Sequence, residues 1–510
     1  PLAAVAVVTV VTGGMLAARY PLWYDEALAF LLVTDVSLAH MLRALAHGVD
    51  GGFPLFYVLA WLWRHVVGPG AWGLRMFGTL GMAVAAALIL GLLRRAFGAW
   101  AAAVGTLALF CTSRLVLVHV AELRFYGLFM AVCAANLWWW QALAAERTVR
   151  PRSVVTYGLL QAALVLTHVL GIAYGAALLA ALVLRDRLDG GLRPRLYLAA
   201  MCGWLAVLLW LPALRGQMAV LRDDWWIPKP DLNALVTLGD FGMALLPLVV
   251  IGGVLAVVLP LSGSAGNGAP TEAGGRSLLL LAAALWAVPL AGYLASKYLL
   301  ARSVFLPRYY LPTALAWPII IAALWHRMRV AERRGGPVLA GLMVAVLAVY
   351  PFRELRYPND FAQRTRAMEM VPGPADLPVV YAGDVEAALR FLPVLHHSRE
   401  KARHFYLLDW EVASRTNARY MYRMTAALGR FYLPRNVVRA EEFLARHERF
   451  LLRGSETWHA WRIAGDARYT TVFLGRDGIQ ADVRLVTRRP GALPAAETRA
   501  AGSRTGAEEP

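Results

Sequence analysis

The chain has 510 residues, of which 59% are hydrophobic and 16% charged, against about 25% charged in an ordinary soluble domain. Its formal net charge is +18, but many arginines sit in short loops between apolar runs, where they set membrane orientation and do not build a nucleic-acid patch. Residues 1–351 hold 40 of the 84 Asp, Glu, Lys and Arg, and the last 159 residues hold 44. Composition therefore excludes a soluble globular protein and a nucleic-acid binder. It predicts a polytopic all-α transmembrane domain over 1–351, a soluble α/β domain over 352–490 and a disordered polar tail over 491–510.

The apolar run Leu2–Leu16 has no small-residue cleavage site and reads as a first helix and not as a signal peptide. The chain starts at Pro1 without Met, so a preceding piece is expected. Spans are predicted over 2–18, 53–67, 77–93, 99–119, 125–145, 154–184, 196–213, 237–260, 277–300, 309–325 and 337–351, which makes about 11–12 membrane segments. Four basic clusters, at 94–95, 146–152, 185–195 and 326–334, are assigned to the cytoplasmic side. The stretch 154–184 lies between two of them, so it reads as two shortened helices turning near His168–Gly171. The segment 53–67 is short, opens Phe53-Pro54 and carries Arg64 and His65, and is expected to be re-entrant or partly inserted. The Gly/Ser-rich stretch 261–276 reads as a cytoplasmic loop. In the C-terminal part, Leu377–Phe391 reads as strand, turn and helix, with strand-like runs at Phe405–Leu408, Arg449–Leu452 and Thr470–Leu474.

By the same bookkeeping three chemically loaded segments, the first loop and residues 352–510 face the outside. The first segment is Asp25-Glu26, beside Trp23 and Tyr24. Adjacent carboxylates push one pKa upward and could supply a general base for a hydroxyl nucleophile. The plain alternative is an interfacial helix start with helix-favouring acids. The second is Glu122, Arg124 and Tyr126, and the third is Arg302 to Pro312, with Arg308 and Tyr309 between prolines. A guanidinium at the membrane surface grips a phosphate bidentately, or simply snorkels to the headgroups. Asp50 reads as a turn residue or a polar pocket wall, and His168 as a lone histidine in an apolar run. Asp223-Asp224-Trp225-Trp226 reads as a further external loop. The three cysteines, Cys111, Cys133 and Cys202, lie in apolar runs, so no cysteine metal cluster is expected. His396-His397 lacks metal-ligand spacing, and no phosphate-cradling Gly-Lys-Ser/Thr loop is present.

The order of these motifs is informative. Asp25-Glu26 is followed by Pro54-Leu55-Phe56-Tyr57, Arg94-Arg95-Ala96-Phe97-Gly98, Glu122-Leu123-Arg124-Phe125-Tyr126, Thr167-His168, Trp225-Trp226-Ile227-Pro228-Lys229-Pro230 and Pro307-Arg308-Tyr309-Tyr310-Leu311-Pro312. Over residues 1–351 this resembles the GT-C glycosyltransferases of the protein O-mannosyltransferase and lipid A aminoarabinose-transferase group. The resemblance implies an inverting hexosyl- or pentosyltransferase that moves a sugar from a polyprenyl-phosphate donor to a hydroxyl of a lipid, glycan or protein. It implies a bacterial inner-membrane location with an extracytoplasmic catalytic face. Asp25 matches the family's catalytic acidic residue, with Glu26 its companion; Arg124 and Arg308 fall near the cavity and the donor phosphate. The family's basic residue before Pro-Pro-Leu is missing at Gly52-Phe53-Pro54-Leu55, which leaves Lys297, Arg302 and Arg308 as substitutes. The full candidate set is Asp25 and Glu26 for catalysis, with Asp50, Glu122, Arg124, Tyr126, His168, Lys297, Arg302, Arg308 and Tyr309 for substrate. No cofactor is required by this chemistry, and a divalent cation is left open. The competing readings are a transporter or flippase of lipid-linked sugars, and a membrane-anchored binding protein working through 352–510.

Overall fold

A computed structural model of the chain describes residues 2–146, 148–220, 225–240, 272–328, 336–352, 361–416 and 418–491. The expectations for most of 237–260, most of 261–276, Asp223-Asp224, part of 326–334 and most of the tail fall outside these residues. The chain forms two compact units. One comprises Pro1–Ala18, Phe53–Trp210 and Ile227–Pro358, and the other Arg19–Gly52, Leu211–Trp226 and Asn359–Pro510.

The first unit is helical. Three of its helices are long and apolar enough to cross a membrane: Ala71–Phe97, Tyr126–Ala145 and Gly275–Leu299; a fourth such helix, Pro194–Val220, begins in it. The chain is an integral membrane protein. Glycines let two of these helices meet backbone to backbone. A Cβ on Gly81 would lie 2.5 Å from the Gly127 carbonyl carbon, and one on Gly127 would lie 2.0 Å from the Gly78 carbonyl oxygen. Small residues at such a crossing replace side-chain bulk with close backbone packing, which is what apolar helices in lipid have to gain. Polar side chains pin other helices to one another. Gln161 donates to Asn136 at 2.9 Å and accepts from Trp204 at 2.8 Å. Arg193 grips Asp186 with two bonds of 2.9 and 2.6 Å and donates to the Leu143 carbonyl at 2.6 Å. That basic cluster therefore ties these helices together.

Several predicted spans are interrupted. The stretch 154–184 is two helices, Pro151–Thr167 and Gly171–Leu188, broken at His168–Leu170. The segment 99–119 splits at Ser113, whose hydroxyl caps Arg114–His119. Residues Pro307–Leu315 form a tight 3₁₀ run ahead of the Ala316–Arg327 helix, and Pro312 inside it removes an amide hydrogen that an α-helix would use. Pro54–Val67 has 14 residues, which at about 1.5 Å per residue is short of a roughly 30 Å hydrocarbon core.

The second unit is built on a six-stranded sheet: β1 Val379–Ala382, β2 His404–Leu408, β3 Val437–Arg439, β4 Arg449–Arg453, β5 Tyr469–Arg476 and β6 Asp482–Arg488. The order is β3-β2-β1-β4-β6-β5, with β3, β2, β1 and β4 parallel and β6 and β5 antiparallel. Val380, Leu407, Phe450 and Leu452 pack one face against Phe443, Leu444 and Trp458. Arg453 is wholly buried, paired with Asp477 and donating to Tyr381 at 2.9 Å and the Met368 carbonyl at 2.8 Å. Removing either member of such a pair would leave an uncompensated buried charge. Segments 19–52 and 211–226 pack with this sheet region: the Leu22 amide donates to His397 at 3.1 Å, and Tyr432 donates to Asp35 at 2.7 Å.

Two predictions follow from this packing. Gly127→Val is expected to destabilise the membrane unit by about 2 kcal/mol, read as a lower melting temperature of the purified protein; an unchanged melt would show that the helices do not rely on this crossing. In the sheet unit, His404 is buried and shares a 3.1 Å hydrogen bond with Ser398. Burial, then the nearby Arg453 and Arg403, draws its imidazole down to about 4. Unfolding therefore takes up a proton between pH 6.5 and 4, so this contribution to stability is full above pH 6.5 and is lost as pH falls towards 4, by up to about 3 kcal/mol. His404→Gln should flatten the wild-type dependence of unfolding on pH across that window.

Candidate functional site

In the membrane unit, the loop between Arg114–His119 and Tyr126–Ala145 is fixed before any side chain is aimed. Thr79 donates to the Val120 carbonyl at 3.0 Å. Gly78 leaves room for the Glu122 carbonyl, which would lie 2.7 Å from a Cβ there. From this anchored loop His119 Nδ1 meets Glu122 at 2.8 Å, and the buried Arg124 donates to the Tyr57 hydroxyl at 3.5 Å.

The break at His168 delivers an imidazole to the same place. Its ring stacks on Phe125, with centroids 4.6 Å apart, and lies 5.0 Å from Tyr309 and 5.3 Å from Phe129. The Leu170 amide donates to His168 Nδ1 at 3.2 Å. The 3₁₀ run carrying Arg308 and Tyr309 is pinned from behind. Tyr174 shares a 2.6 Å hydrogen bond with Thr313 and donates to the Tyr310 carbonyl at 3.1 Å, while Thr313 donates to the Leu285 carbonyl at 3.1 Å. Gly292 opens the space that the Tyr310 ring fills.

These elements converge on one point. The Tyr126 ring lies 4.5 Å from both His119 and Phe125, Phe125 lies 6.4 Å from Tyr309, and the Arg124 and Arg308 guanidiniums stand 5.8 Å from the Phe125 ring and 5.7 Å from the Tyr309 ring. Six of the sequence-derived candidates, Glu122, Arg124, Tyr126, His168, Arg308 and Tyr309, thus form one cluster, with two guanidiniums set among aromatic rings. Such a cluster can hold a phosphate by charge and an apolar chain or sugar ring by stacking. Lys297 lies on a π-helical turn, Ala295–Leu299, and donates to Tyr293 at 3.2 Å. Arg302 is exposed in the following loop. Neither shares the hydrogen bonds and ring contacts described for the six. Tyr57 and His119 belong to the cluster without having been singled out as site residues; His119, three residues before Glu122 at a helix end, was detectable by spacing.

Asp25, Glu26 and Asp50 lie in the sheet-containing unit. Tyr24–Val33 is a helix whose first turn carries Asp25 and Glu26. Glu26 is 1% exposed and accepts from the Trp23 amide at 3.4 Å, which closes the helix start. Asp25 is half-buried beside it. Asp25, Tyr406, Asp50 and Tyr420 all act on the buried Tyr24 hydroxyl, so Asp25 and Asp50 share one neighbourhood. The turn holding Asp50 is tied by Gln217, whose amide faces the Gly52, Leu45 and Asp50 carbonyls at 3.0, 3.2 and 3.2 Å. Among the described residues, no group of three or more His, Cys, Asp or Glu could hold a metal ion.

No protein-family model matches the chain, and no curated protein matches it. Solved structures do. ArnT from Cupriavidus metallidurans bound to undecaprenyl phosphate matches with a TM-score of 0.56 at 16% identity, over 95% of this chain and 97% of that one. Its apo state matches at 0.55 and 14% identity, over 94% and 96%. The archaeal oligosaccharyltransferase AglB from Archaeoglobus fulgidus, in complex with an inhibitory peptide and a dolichol-phosphate, matches at 0.44 and 13% identity, over 88% and 69%. The first two matches establish a shared fold over nearly the whole length of both chains.

The Gln217 clasp makes a direct prediction. Gln217→Ala leaves three turn carbonyls without this donor, a loss of about 1–3 kcal/mol locally, and amide exchange over residues 45–52 should accelerate while exchange in β1 and β2 stays as in wild type.

Proposed function

We propose that this chain, which has the GT-C fold of ArnT, is an inverting glycosyltransferase using a polyprenyl-phosphate-linked sugar donor and a hydroxyl-bearing lipid, glycan or protein acceptor. The observation that carries the proposal is the placing of Arg124 by the Phe125 ring and Arg308 by the Tyr309 ring, with His168 against both rings. A relative in fold has been solved with undecaprenyl phosphate, and a paired guanidinium site suits that headgroup. In this reading residues 1–351 carry the reaction, 352–490 form the extracytoplasmic α/β part, and the setting is a bacterial inner membrane with its catalytic face outward.

The chemistry is a single displacement. The acceptor oxygen attacks the anomeric carbon, the bond from that carbon to the phosphate oxygen breaks, and the lipid phosphate leaves with the electron pair. Arg124 and Arg308 stabilise the charge that collects on the phosphate. Asp25 takes the acceptor proton as general base, and Glu26, spent on the Trp23 amide, fixes the helix start that presents it. Asp50 shapes the polar surroundings of Asp25. Glu122 and His119 hold the loop that carries Arg124. The half-buried Lys297 and the exposed Arg302 are assigned to the approach of the anionic headgroup.

The test uses the purified protein in lipid vesicles with a panel of radiolabelled polyprenyl-phosphate sugars. Asp25→Asn is expected to lower turnover about a thousandfold with donor binding retained. Arg308→Ala and Arg124→Ala are expected to weaken donor binding by about 10- to 100-fold. Equal turnover in wild type and Asp25→Asn would remove Asp25 from the mechanism. Donor binding unchanged in both arginine variants would remove the cluster.

A further inference from the structure

The sheet-containing unit has a cavity of its own, about 560 Å³, with Asp384, Gly454, Glu456 and Asp482 in its lining. Its position follows from the strand order. From β1 the chain winds outward to β2 and then β3, and it returns to place β4 on the other side of β1. In open parallel sheets the loops leaving two strands at such a reversal part in opposite directions, and the crevice beyond their carboxyl ends receives ligands. The cavity lies at this reversal, where the residues following β1 and the residues following β4 face one another.

Both strand exits are glycines at positive φ, Gly383 at +80° and Gly454 at +57°. A Cβ on Gly383 would lie 2.6 Å from Trp458, and one on Gly454 would lie 2.6 Å from the Arg390 guanidinium. Ser455 accepts from the Ala382 amide at 2.8 Å, which locks the two exits together. The mouth is thus built by the backbone and does not depend on mobile side chains.

The lining also states what cannot enter. Beyond β1, the Val385–His397 helix presents its amino end, the usual seat for a phosphate in this architecture, but Asp384 already occupies it, accepting from the Ala387 amide at 2.7 Å. Four carboxyl groups line the cavity against two guanidiniums, Arg390 and Arg476. These are paired with Glu386 at 2.9 Å and Asp482 at 3.1 Å. An anionic ligand therefore meets net negative charge and no spare helix end. Alternating carboxylates and guanidiniums, with the hydroxyls of Thr416 and Thr457, instead suit a ligand dense in hydroxyl groups, each of which gives and accepts a hydrogen bond.

We propose that this cavity is a saccharide-binding site, for a sugar that carries hydroxyl or amine groups and no anionic group. The volume falls within the range of small-molecule sites. The interaction between Glu456 and Asp482 raises the first carboxyl and lowers the second, and burial raises Asp384. An amine entering here brings a positive charge to these carboxyl groups. The site belongs to the sheet unit alone and does not depend on the transfer reaction proposed above.

The test is saturation-transfer NMR on the full-length protein in lipid nanodiscs, with D-glucosamine, D-glucose and D-glucose 6-phosphate as probes at millimolar concentration. Wild type is expected to show transfer to glucosamine and glucose, and less to the 6-phosphate. Glu456→Gln, at an exposed position, should weaken binding about tenfold, and Gly454→Val, which fills the crevice, should abolish it; neither should alter turnover of a lipid-linked donor. No transfer to either uncharged or amine-bearing sugar overturns the proposal. So does tighter binding of the 6-phosphate, or binding that Glu456→Gln leaves unchanged, because the sugar then sits elsewhere.

Discussion

The membrane unit depends on a contact made without side chains. Where Gly78 and Gly81 meet Gly127, two apolar helices approach so closely that a single added carbon would overlap a carbonyl group. Helices in lipid gain nothing from hiding apolar surface, so their association rests on packing and on internal hydrogen bonds. This crossing supplies the packing, and it also decides the chemistry. The loop that carries Glu122 and Arg124 enters the Tyr126–Ala145 helix one residue before Gly127. Backbone proximity thus sets where the guanidinium stands.

Around that point the unit spends its polar groups on backbone positions. Thr79 holds a loop carbonyl, and Tyr174 and Thr313 hold the 3₁₀ run. The reactive groups are left to rings and charges that approach from separate segments. A site assembled from helix ends and breaks needs such surroundings, because irregular backbone is tolerated at membrane depth only where protein or a water-filled cavity encloses it.

Much of this was legible in the sequence for identifiable reasons. Basic clusters on either side of 154–184 demanded a turn, and the helices do part at His168. Apolar patterning found β1, β2, β4 and most of β5. It missed β3, which has three residues, and β6, where Asp482, Arg484 and Arg488 obscure the alternation of Val483 and Leu485. The candidates Glu122, Arg124 and Tyr126 stood out because charge beside apolar helices is costly, and Arg308 because prolines bracket it. What could not be read was tertiary. Residues 19–52 and 211–226 join the unit of the C-terminal sheet through bonds such as those of Gln217 with the 45–52 turn and Tyr432 with Asp35, and partners hundreds of residues apart leave no local period. Glu26 likewise looked equivalent to Asp25 until the structure showed it buried at the helix start.

The hydrogen bond from Leu170 to His168 fixes more than a ring orientation. A nitrogen that accepts from an amide carries no hydrogen of its own, so in the neutral imidazole the hydrogen resides on Nε2. The histidine at the helix break is thereby a donor towards anything it faces. It can steady an oxygen bearing negative charge, but it has no lone pair left with which to strip a hydroxyl. Within a cluster of arginines and aromatic rings the imidazole thus adds a third hydrogen-bond donor beside the two guanidiniums.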